Sequence, residues 1–374
     1  MKTSNRKEGK LILFAVLLFC LIGLLVIGVG FFSNAGTNYK NGNKEIEKVV
    51  ELPPKPVVPP LDKADYDLRM EKLANNPIPK VVEPKIDPKT GKPLPVPIPK
   101  LNFWPVSTVY PNDGAILPFK RVVAYYGNLY STKMGILGEY AEERMTEKLM
   151  VEVKRWNDAD PETPVVPALH YIAVVAQGSA GKDGKYRFRM PDSEIDKVIK
   201  MAEKINGIVF LDIQVGFSNL QTEVPLFEKY LKMPQVHLGI DPEFSMKGTI
   251  RPGKIVGTLS ADDINFTVNY LAKIVKENNL TPKILIVHRY TQKMVTNYDK
   301  IETLPEVQIV MNMDGWGGAD KKISTYNQFI YKEPVQFTGF KLFYKNDVLN
   351  PNTVLMEPVE LLKLTPRPIY IQYQ

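Results

Sequence analysis

The sequence has a single cysteine, Cys20, among 374 residues, so no disulfide can form within the chain. The domain that follows must therefore be stabilised by its hydrophobic core. The three histidines lie far apart in the sequence, no His-x-His pair occurs, and the spacings that mark most zinc sites are missing. These absences exclude a disulfide scaffold and leave no local metal motif.

A strong excess of positive charge is also missing from most of the chain. The net charge is +7, but residues 1–100 carry 16 Lys and Arg against 10 Asp and Glu, whereas residues 101–374 carry 32 against 31. No basic stripe with interleaved aromatic residues accompanies this distribution. The composition therefore predicts that nucleic acid is not a partner.

One long apolar run is present, at residues 11–32. Its 22 residues carry no charge, which is enough for a helix to cross a bilayer core of about 30 Å. Basic residues precede the run, and positive flanks stay in the cytoplasm. We expect residues 1–10 to form a cytoplasmic tail, residues 11–32 a single-pass anchor in the lipid bilayer, and the rest an extracytoplasmic domain at the cell membrane. A signal peptide cleaved near Ser33 is the alternative. The apolar core of a signal peptide usually has only about 7 to 15 residues, and this run is longer.

Residues 33–100 are rich in proline and lysine and have the composition of a spacer. Of the 31 prolines, 13 fall between Pro53 and Pro99. Proline fixes φ and lacks an amide donor, so such a stretch favours the stiff polyproline II conformation and packs no core. A linker is therefore expected here, with one short helix at residues 61–74.

From residue 101 onward, strand-like apolar runs alternate with helical stretches. This alternation is typical of parallel strands joined by crossover helices, and eight runs over about 270 residues match an α/β fold, the (β/α)8 TIM-type barrel. An open doubly wound sheet is the alternative, but no glycine-rich phosphate turn follows the first run. Residues 101–120 are expected to close the bottom of the barrel. The runs are residues 121–127, 164–174, 207–215, 235–243, 283–289, 307–314, 337–344 and 367–374.

Polar residues alternate with apolar ones along these runs. In QVHLGIDPE, residues 235–243, the apolar side chains alternate with His237, Gly239, Asp241 and Glu243, so the second set shares one face of the strand. Strand ends that emerge into water are polar in any barrel. Convergence from six or more strands favours a pocket at the C-terminal mouth, where barrel enzymes carry their active sites.

Strand 4 ends in Asp241-Pro242-Glu243, an Asp-x-Glu sequence similar to the strand-4 motif of the glycoside hydrolase family 18 chitinases and family 25 lysozymes, both (β/α)8 barrels. The segment MNMDGWG, residues 311–317, resembles the end of strand 6 in the chitinases. The sequence departs from the family pattern at His237 and Gly239, where chitinases carry further acids. The later segments are similar to a group of uncharacterised bacterial membrane-anchored or lipoprotein-like proteins.

The resemblance implies cleavage of an amino-sugar glycan, such as cell wall, by carboxylate chemistry without a cofactor. Glu243 would donate the proton, with its pKa raised by the negative charge of Asp241, which would orient the substrate. Asp314 and Asp212 would assist, and Trp316 would either stack on a sugar ring or simply cap the mouth of the barrel. The other side chains expected to bind substrate are Tyr126, His170, Gln214, His288, Asn312, Lys341, Tyr344 and Gln372.

Two other functions remain open from the sequence. A barrel without catalytic activity would use the same pocket to bind glycan or to act as a scaffold. A metal-dependent hydrolase would use nitrogen and oxygen ligands at the mouth. The candidate metal ligands are His170, Asp212, Asp241, Glu243, His288 and Asp314. His237, deeper in strand 4, is instead expected to be a hydrogen-bonded core histidine.

Overall fold

The computed structural model describes residues 57–78, 87, 89, 91–92 and 102–374. The expected tail and membrane anchor, residues 1–32, lie outside the described residues, as does much of the proline-rich linker. Among the helices of the described part, none is long and apolar enough to span a membrane.

Eight parallel strands form a closed barrel, which confirms the fold predicted from the sequence. The first strand pairs with both the second and the last, so the sheet has no open edge. A three-residue strand, Arg187–Arg189, extends the second strand antiparallel outside the ring. The barrel strands are β1 (Arg121–Gly127), β2 (Val165–Ala176), β3 (Ile208–Ile213), β4 (Val236–Ile240), β5 (Lys283–Arg289), β6 (Val307–Met313), β7 (Phe337–Leu342) and β8 (Tyr370–Tyr373).

Helices connect most of these strands. They are α1 (Lys63–Ala74) before the barrel, α2 (Ile136–Glu139) and α3 (Glu142–Ala159) after β1, α4 (Asp192–Glu203) after β2, α5 (Leu220–Glu223) and α6 (Glu228–Leu231) after β3, α7 (Ala261–Glu277) after β4, α8 (Ala319–Tyr326) after β6 and α9 (Pro358–Leu361) after β7. Two single 3-10 turns, Gln292–Met294 and Tyr298–Lys300, follow β5. A short strand between these turns, Val295–Thr296, pairs with another short strand, Leu259–Ser260, which lies just before α7.

Capping residues in the sequence predict helix starts at Asp192 or Ser193, at Thr222, and at Ser260 with Asp263. The structure agrees with these signals only in part. The capping box predicted at Ser260 and Asp263 is present, and it satisfies free amides at the start of α7. The cap of α5 is Asn219, whose side chain accepts from the Thr222 amide; Thr222 itself was the expected cap. Pro191 precedes α4, where Asp192 or Ser193 was expected to be the cap.

The predicted alternation of side chains separates two hydrophobic clusters. Leu211, Leu238 and Val287 belong to the outer cluster, which lies between the strands and the helices. Phe210 and Ile286 belong to the inner cluster, which fills the lower half of the barrel. Alternation along the last run, residues 367–374, predicts that Ile369 faces outward with Ile371. Ile369 instead packs in the inner cluster, because it precedes β8 and does not follow the alternation of that strand.

Helix α1 closes the bottom of the barrel, although residues 61–74 were expected to belong to the linker. Tyr66, Met70 and Ala74 repeat every four residues and form its buried face. The predicted closure by residues 101–120 is also seen, because Leu117 packs in the inner cluster. The Gln308 side chain accepts from the Leu117 amide at 3.1 Å and donates to its carbonyl at 2.6 Å.

Candidate functional site

A cavity of about 520 Å³ opens at the C-terminal mouth of the barrel, within the usual size range of small-ligand pockets. The side chains that line it include acids that follow β4 and β6, a glutamine that follows β3, a lysine of β7, and aromatic rings. Among the lining residues are Gln214, Asp241, Glu243, Asp314, Trp316 and Lys341.

Asp241 directly follows β4 and caps the 3-10 turn Pro242–Phe244. One carboxylate oxygen accepts from the Glu243 amide at 3.0 Å and the other from Gln214 Nε2 at 3.3 Å. Proline at the first position of the turn sets φ and needs no amide partner there. Burial raises the pKa of Asp241 well above its ordinary value, against the opposing effect of His288. Asp241 therefore retains its proton to higher pH than an ordinary aspartate.

Glu243 is only partly buried, lines the cavity and shares a hydrogen bond with Tyr290. Its pKa is raised by burial and by the negative charge of Asp314, while Tyr290 and Lys341 act in the opposite direction. The predicted rise is present, but the predicted cause, Asp241, is wrong. Asp241 is the more deeply buried of the two acids, and its pKa is also raised.

Asp314 follows β6 and pairs with two cations. Lys341 Nζ lies 2.9 Å from Oδ1, and His288 Nδ1 lies 3.0 Å from Oδ2. Burial alone would raise the pKa of Asp314, but Lys341 and His288 hold it below its ordinary value. Lys341 also lies over the ring of Tyr126, with Nζ 3.8 Å from the centroid, which is a cation–π contact.

Beneath the cavity lies a fully buried group that we call the floor triad: His170, Asp212 and His288. Asp212 Oδ1 lies 3.3 Å from His170 Nε2 and 3.4 Å from His288 Nε2, and Oδ2 accepts from the Tyr126 hydroxyl at 2.9 Å. The three residues offer nitrogen and oxygen atoms within 4.8 Å of one another, a donor set that a metal ion could use.

The three members of the floor triad differ in charge. Burial lowers the pKa of His170 to about 4, more than Asp212 raises it. Burial also opposes ionisation of His288, but Asp314 and Asp212 outweigh it and raise the pKa of His288 to about 10. Burial would raise the pKa of Asp212, but the two histidines bring it below its ordinary value.

Gly239 makes room for the floor triad. A Cβ on this residue of β4 would lie 2.5 Å from Asp212 Oδ1 and 2.5 Å from His170 Nε2. In the parallel register, Gly239 is opposite Asp212 on the neighbouring strand, which brings the backbone against these side chains. A side chain at position 239 would therefore displace the triad, which accounts for glycine at this position.

The structure brings together most of the residues expected to form a site. Tyr126, Gln214, Asp241, Glu243, Asp314, Trp316 and Lys341 line the cavity. His170, Asp212, His288, Asn312 and Gln372 are buried and do not line it. Tyr344 lies outside this group, and its hydroxyl contacts Tyr125 and Glu152 at 3.0 Å each in the outer layer. Phe343 lines the cavity instead, because successive side chains point to opposite faces.

Two other features were absent from the sequence prediction. Tyr290 lines the cavity two residues after His288, so the same alternation could have indicated it. Lys321 lies in α8, with Nζ 4.6 Å from the centroid of the Trp316 ring, and no strand pattern points to it. His237 is a core histidine as expected, and its Nδ1 accepts from the Ile284 amide at 3.0 Å.

No protein-family model matches the chain, and no curated protein matches it significantly. These comparisons assign no chemistry to the site, and only its geometry indicates one. Two acids with raised pKa, a charge-paired aspartate and a half-exposed tryptophan surround one cavity, an arrangement suited to proton transfer on a neutral polar substrate.

Proposed function

We propose that the barrel is a glycoside hydrolase that cleaves an amino-sugar glycan, with Glu243 as the proton donor. The observation that carries this proposal is the position of Glu243: it borders the cavity and its pKa is raised, so it retains a proton to higher pH than an ordinary glutamate. A glycosidic oxygen must receive a proton as its bond to the sugar breaks. Glu243 is the acid best placed to supply it.

Asp241 and Asp314 have different roles in this mechanism because their environments differ. Asp241, whose pKa is raised, contacts the acetamido group of the substrate and is held for that task by the hydrogen bond from Gln214. Ionised Asp314, balanced by Lys341, stabilises the positive charge that develops on the sugar ring. Asp212 lies beneath the cavity and positions Tyr126 through the hydroxyl contact, so it is a positioning residue.

Trp316 supports a carbohydrate as the substrate. Its side chain is 50% exposed although it borders the cavity, and Lys321 lies against its ring. An exposed indole at a pocket rim offers a flat apolar surface on which a sugar ring can stack. We also propose that the uncharged run at residues 11–32 anchors the enzyme in the membrane, with the barrel outside the cytoplasm next to the cell-wall glycan.

The test measures the release of reducing ends from peptidoglycan and from N-acetylglucosamine oligosaccharides by the full chain in detergent. Replacing Glu243 by Gln should lower kcat by roughly 100- to 10,000-fold, the usual contribution of a general acid. Glu277→Gln, an exposed control on α7, should leave kcat unchanged.

Two results would decide against this function. Full turnover by the Glu243→Gln variant would exclude Glu243 as the proton donor. Tight glycan binding by the unmodified chain without turnover would favour the alternative of a binding or scaffold barrel that uses the same cavity.

A further inference from the structure

The floor triad presents atoms whose hydrogen bonds are missing. His170 Nε2, His288 Nε2 and Asp212 Oδ1 are all buried, and none has a hydrogen-bond partner among the described residues. Each instead faces another of the three at 3.3 or 3.4 Å. Both contacts are longer than the length of about 2.7 to 2.9 Å that is usual when a charged donor meets a carboxylate, so they satisfy the three atoms poorly.

The same distances fit a different occupant. Ligand atoms about 2.0 to 2.1 Å from a tetrahedral ion are separated from one another by about 3.3 to 3.4 Å. The two contacts of Asp212 Oδ1, with His170 Nε2 and His288 Nε2, have these lengths. Unsatisfied buried polar atoms are costly, and an ion that binds all three would remove that cost.

We propose that the floor triad binds one divalent transition-metal ion, Zn²⁺ or Fe²⁺, through His170 Nε2, Asp212 Oδ1 and His288 Nε2. Two imidazoles and one carboxylate suit these ions, whereas Mg²⁺ and Ca²⁺ require oxygen ligands. Three protein ligands also leave a further coordination position open.

The surroundings of the triad orient each ligand in the way that metal sites require. His288 Nδ1 lies 3.0 Å from Asp314 Oδ2, and the Tyr126 hydroxyl donates to Asp212 Oδ2. Outer carboxylates and hydroxyls of this kind fix the ring tautomer and direct the free atom at the ion. Both contacts leave the atoms that face the centre of the triad available.

His170 is held from its far side by Tyr370 and Gln372. Its Nδ1 lies 2.6 Å from the Tyr370 hydroxyl and 3.0 Å from the Gln372 amide nitrogen, while Gln372 Oε1 is buried without a hydrogen bond among the described residues. A half-turn of that amide, which exchanges two nearly identical atoms, turns Oε1 toward the imidazole. Nδ1 of His170 then donates its proton and Nε2 is free to bind the ion.

The test is the metal content of the full chain in detergent, first stripped with a chelator and then dialysed against Zn²⁺ or, without oxygen, against Fe²⁺. We expect about one equivalent of one of the two ions per chain. His170→Gln and His288→Gln should bind it at least tenfold more weakly. His237→Gln, a buried histidine of the same barrel outside the triad, should retain it. Equal loss in all three variants, or no retained ion in the unmodified chain, would overturn the proposal.

A second measurement does not depend on whether the variants fold. Co²⁺ added to the stripped, unmodified chain should give the intense visible absorption of a four- or five-coordinate site, and the weak spectrum of hydrated Co²⁺ would contradict the proposal. The inference is separable from glycan cleavage, because Glu243 lies outside the triad. The Glu243→Gln variant should therefore keep its full metal content even if it loses turnover.

Discussion

Lys341 Nζ lies 2.9 Å from Asp314 Oδ1, and less than a tenth of either side chain is exposed to solvent. A buried ion pair of this kind gains little net free energy, because both charges lose their hydration. Removing one partner is a different matter, since the other charge is then left without compensation. The pair therefore fixes the charge of the cavity wall even where it adds little to stability.

Lys341→Met should lower the free energy of unfolding by up to about 3 to 5 kcal/mol, because the buried Asp314 carboxylate then keeps only His288 as a counter-charge. Urea unfolding at neutral pH measures the change. Lys345→Met is the matched control, since Lys345 is 70% exposed where it pairs with Glu139, and such a pair contributes about 0 to 1 kcal/mol. Similar losses in the two variants would show that the Lys341 pair is not buried in solution.

The Asp241→Asn variant should be more stable than the unmodified chain, and the difference in the free energy of unfolding should grow as pH rises. The folded pKa of Asp241 is raised, by burial first and then by Asp212, Glu243 and Asp314 against His288. The unfolded chain loses this proton at a lower pH than the folded chain, so the aspartate lowers stability from its ordinary pKa upward. Asparagine removes that penalty, worth about 1.4 kcal/mol for each unit of pKa difference.

Urea unfolding of the Asp241→Asn variant at pH 4 and pH 8 checks this prediction. The gain over the unmodified chain should be small at the lower pH and larger at the higher one. Asp299→Asn, at an exposed position, is the control and should show the same small change at both. An equal effect of Asp241→Asn at the two pH values would mean that the carboxyl is ionised when folded.

Tyr290→Phe should raise the pKa of Glu243 further. The hydrogen bond from Tyr290 lowers that pKa, and phenylalanine keeps the ring without the hydroxyl. Carbon-13 NMR of glutamate labelled at the carboxyl carbon follows the titration, and the signal missing from the Glu243→Gln variant assigns it. Tyr331→Phe is a control outside the cavity. A fall of the Glu243 pKa in the Tyr290 variant would contradict the described hydrogen bond.

Met70→Ala should destabilise the barrel by about 2 to 5 kcal/mol, because Met70 of α1 is buried in the inner cluster. Leu68→Ala on the same helix should change stability by less than about 0.5 kcal/mol, since Leu68 is 56% exposed. Thermal unfolding of both variants measures the difference. If both are neutral, α1 does not pack against the barrel in solution, and the segment is a linker as first expected.

Gly239→Ala should destabilise the protein by about 1 to 3 kcal/mol, because the new methyl group enters the space of Asp212 and His170. It should also abolish metal binding by the floor triad. Gly248→Ala is the control, since a Cβ there meets no atom within 4 Å, and it should be neutral or slightly stabilising. A tolerated alanine at position 239 would show that the triad is not packed against β4.

Residue alternation predicted which side chains enter the barrel but not how deep they lie. Alternation predicts that Asp212 and Asp314 both point into the barrel, and both follow apolar residues. Asp212 nevertheless lies beneath the cavity, whereas Asp314 borders it. Depth depends on how far neighbouring strands are shifted along the barrel axis, as in the pairing of Asp212 with Gly239. That shift arises when the barrel closes and is not encoded in any single strand.

Helix α1 illustrates a second limit of the sequence. Its apolar stripe of Tyr66, Met70 and Ala74 is short and lies among prolines, so composition indicated a spacer. The helix is stabilised by packing on Leu117 and the lower barrel, contacts between segments distant in the sequence. Local signals do count at its ends, where Asp62 caps the first turn and Asn75 adopts the left-handed conformation with φ of 48°.

The position of α1 determines from which side the barrel is reached by the chain that precedes it. Leu61 packs with the bottom cluster, and its amide donates to Asp113 at 2.9 Å, so the polypeptide enters at the end opposite the cavity. The described part of the chain before α1 therefore lies at the sealed end of the barrel and not over its mouth. Under the proposed function, this stretch would not stand between a large polymer such as a wall glycan and the acids of the cavity.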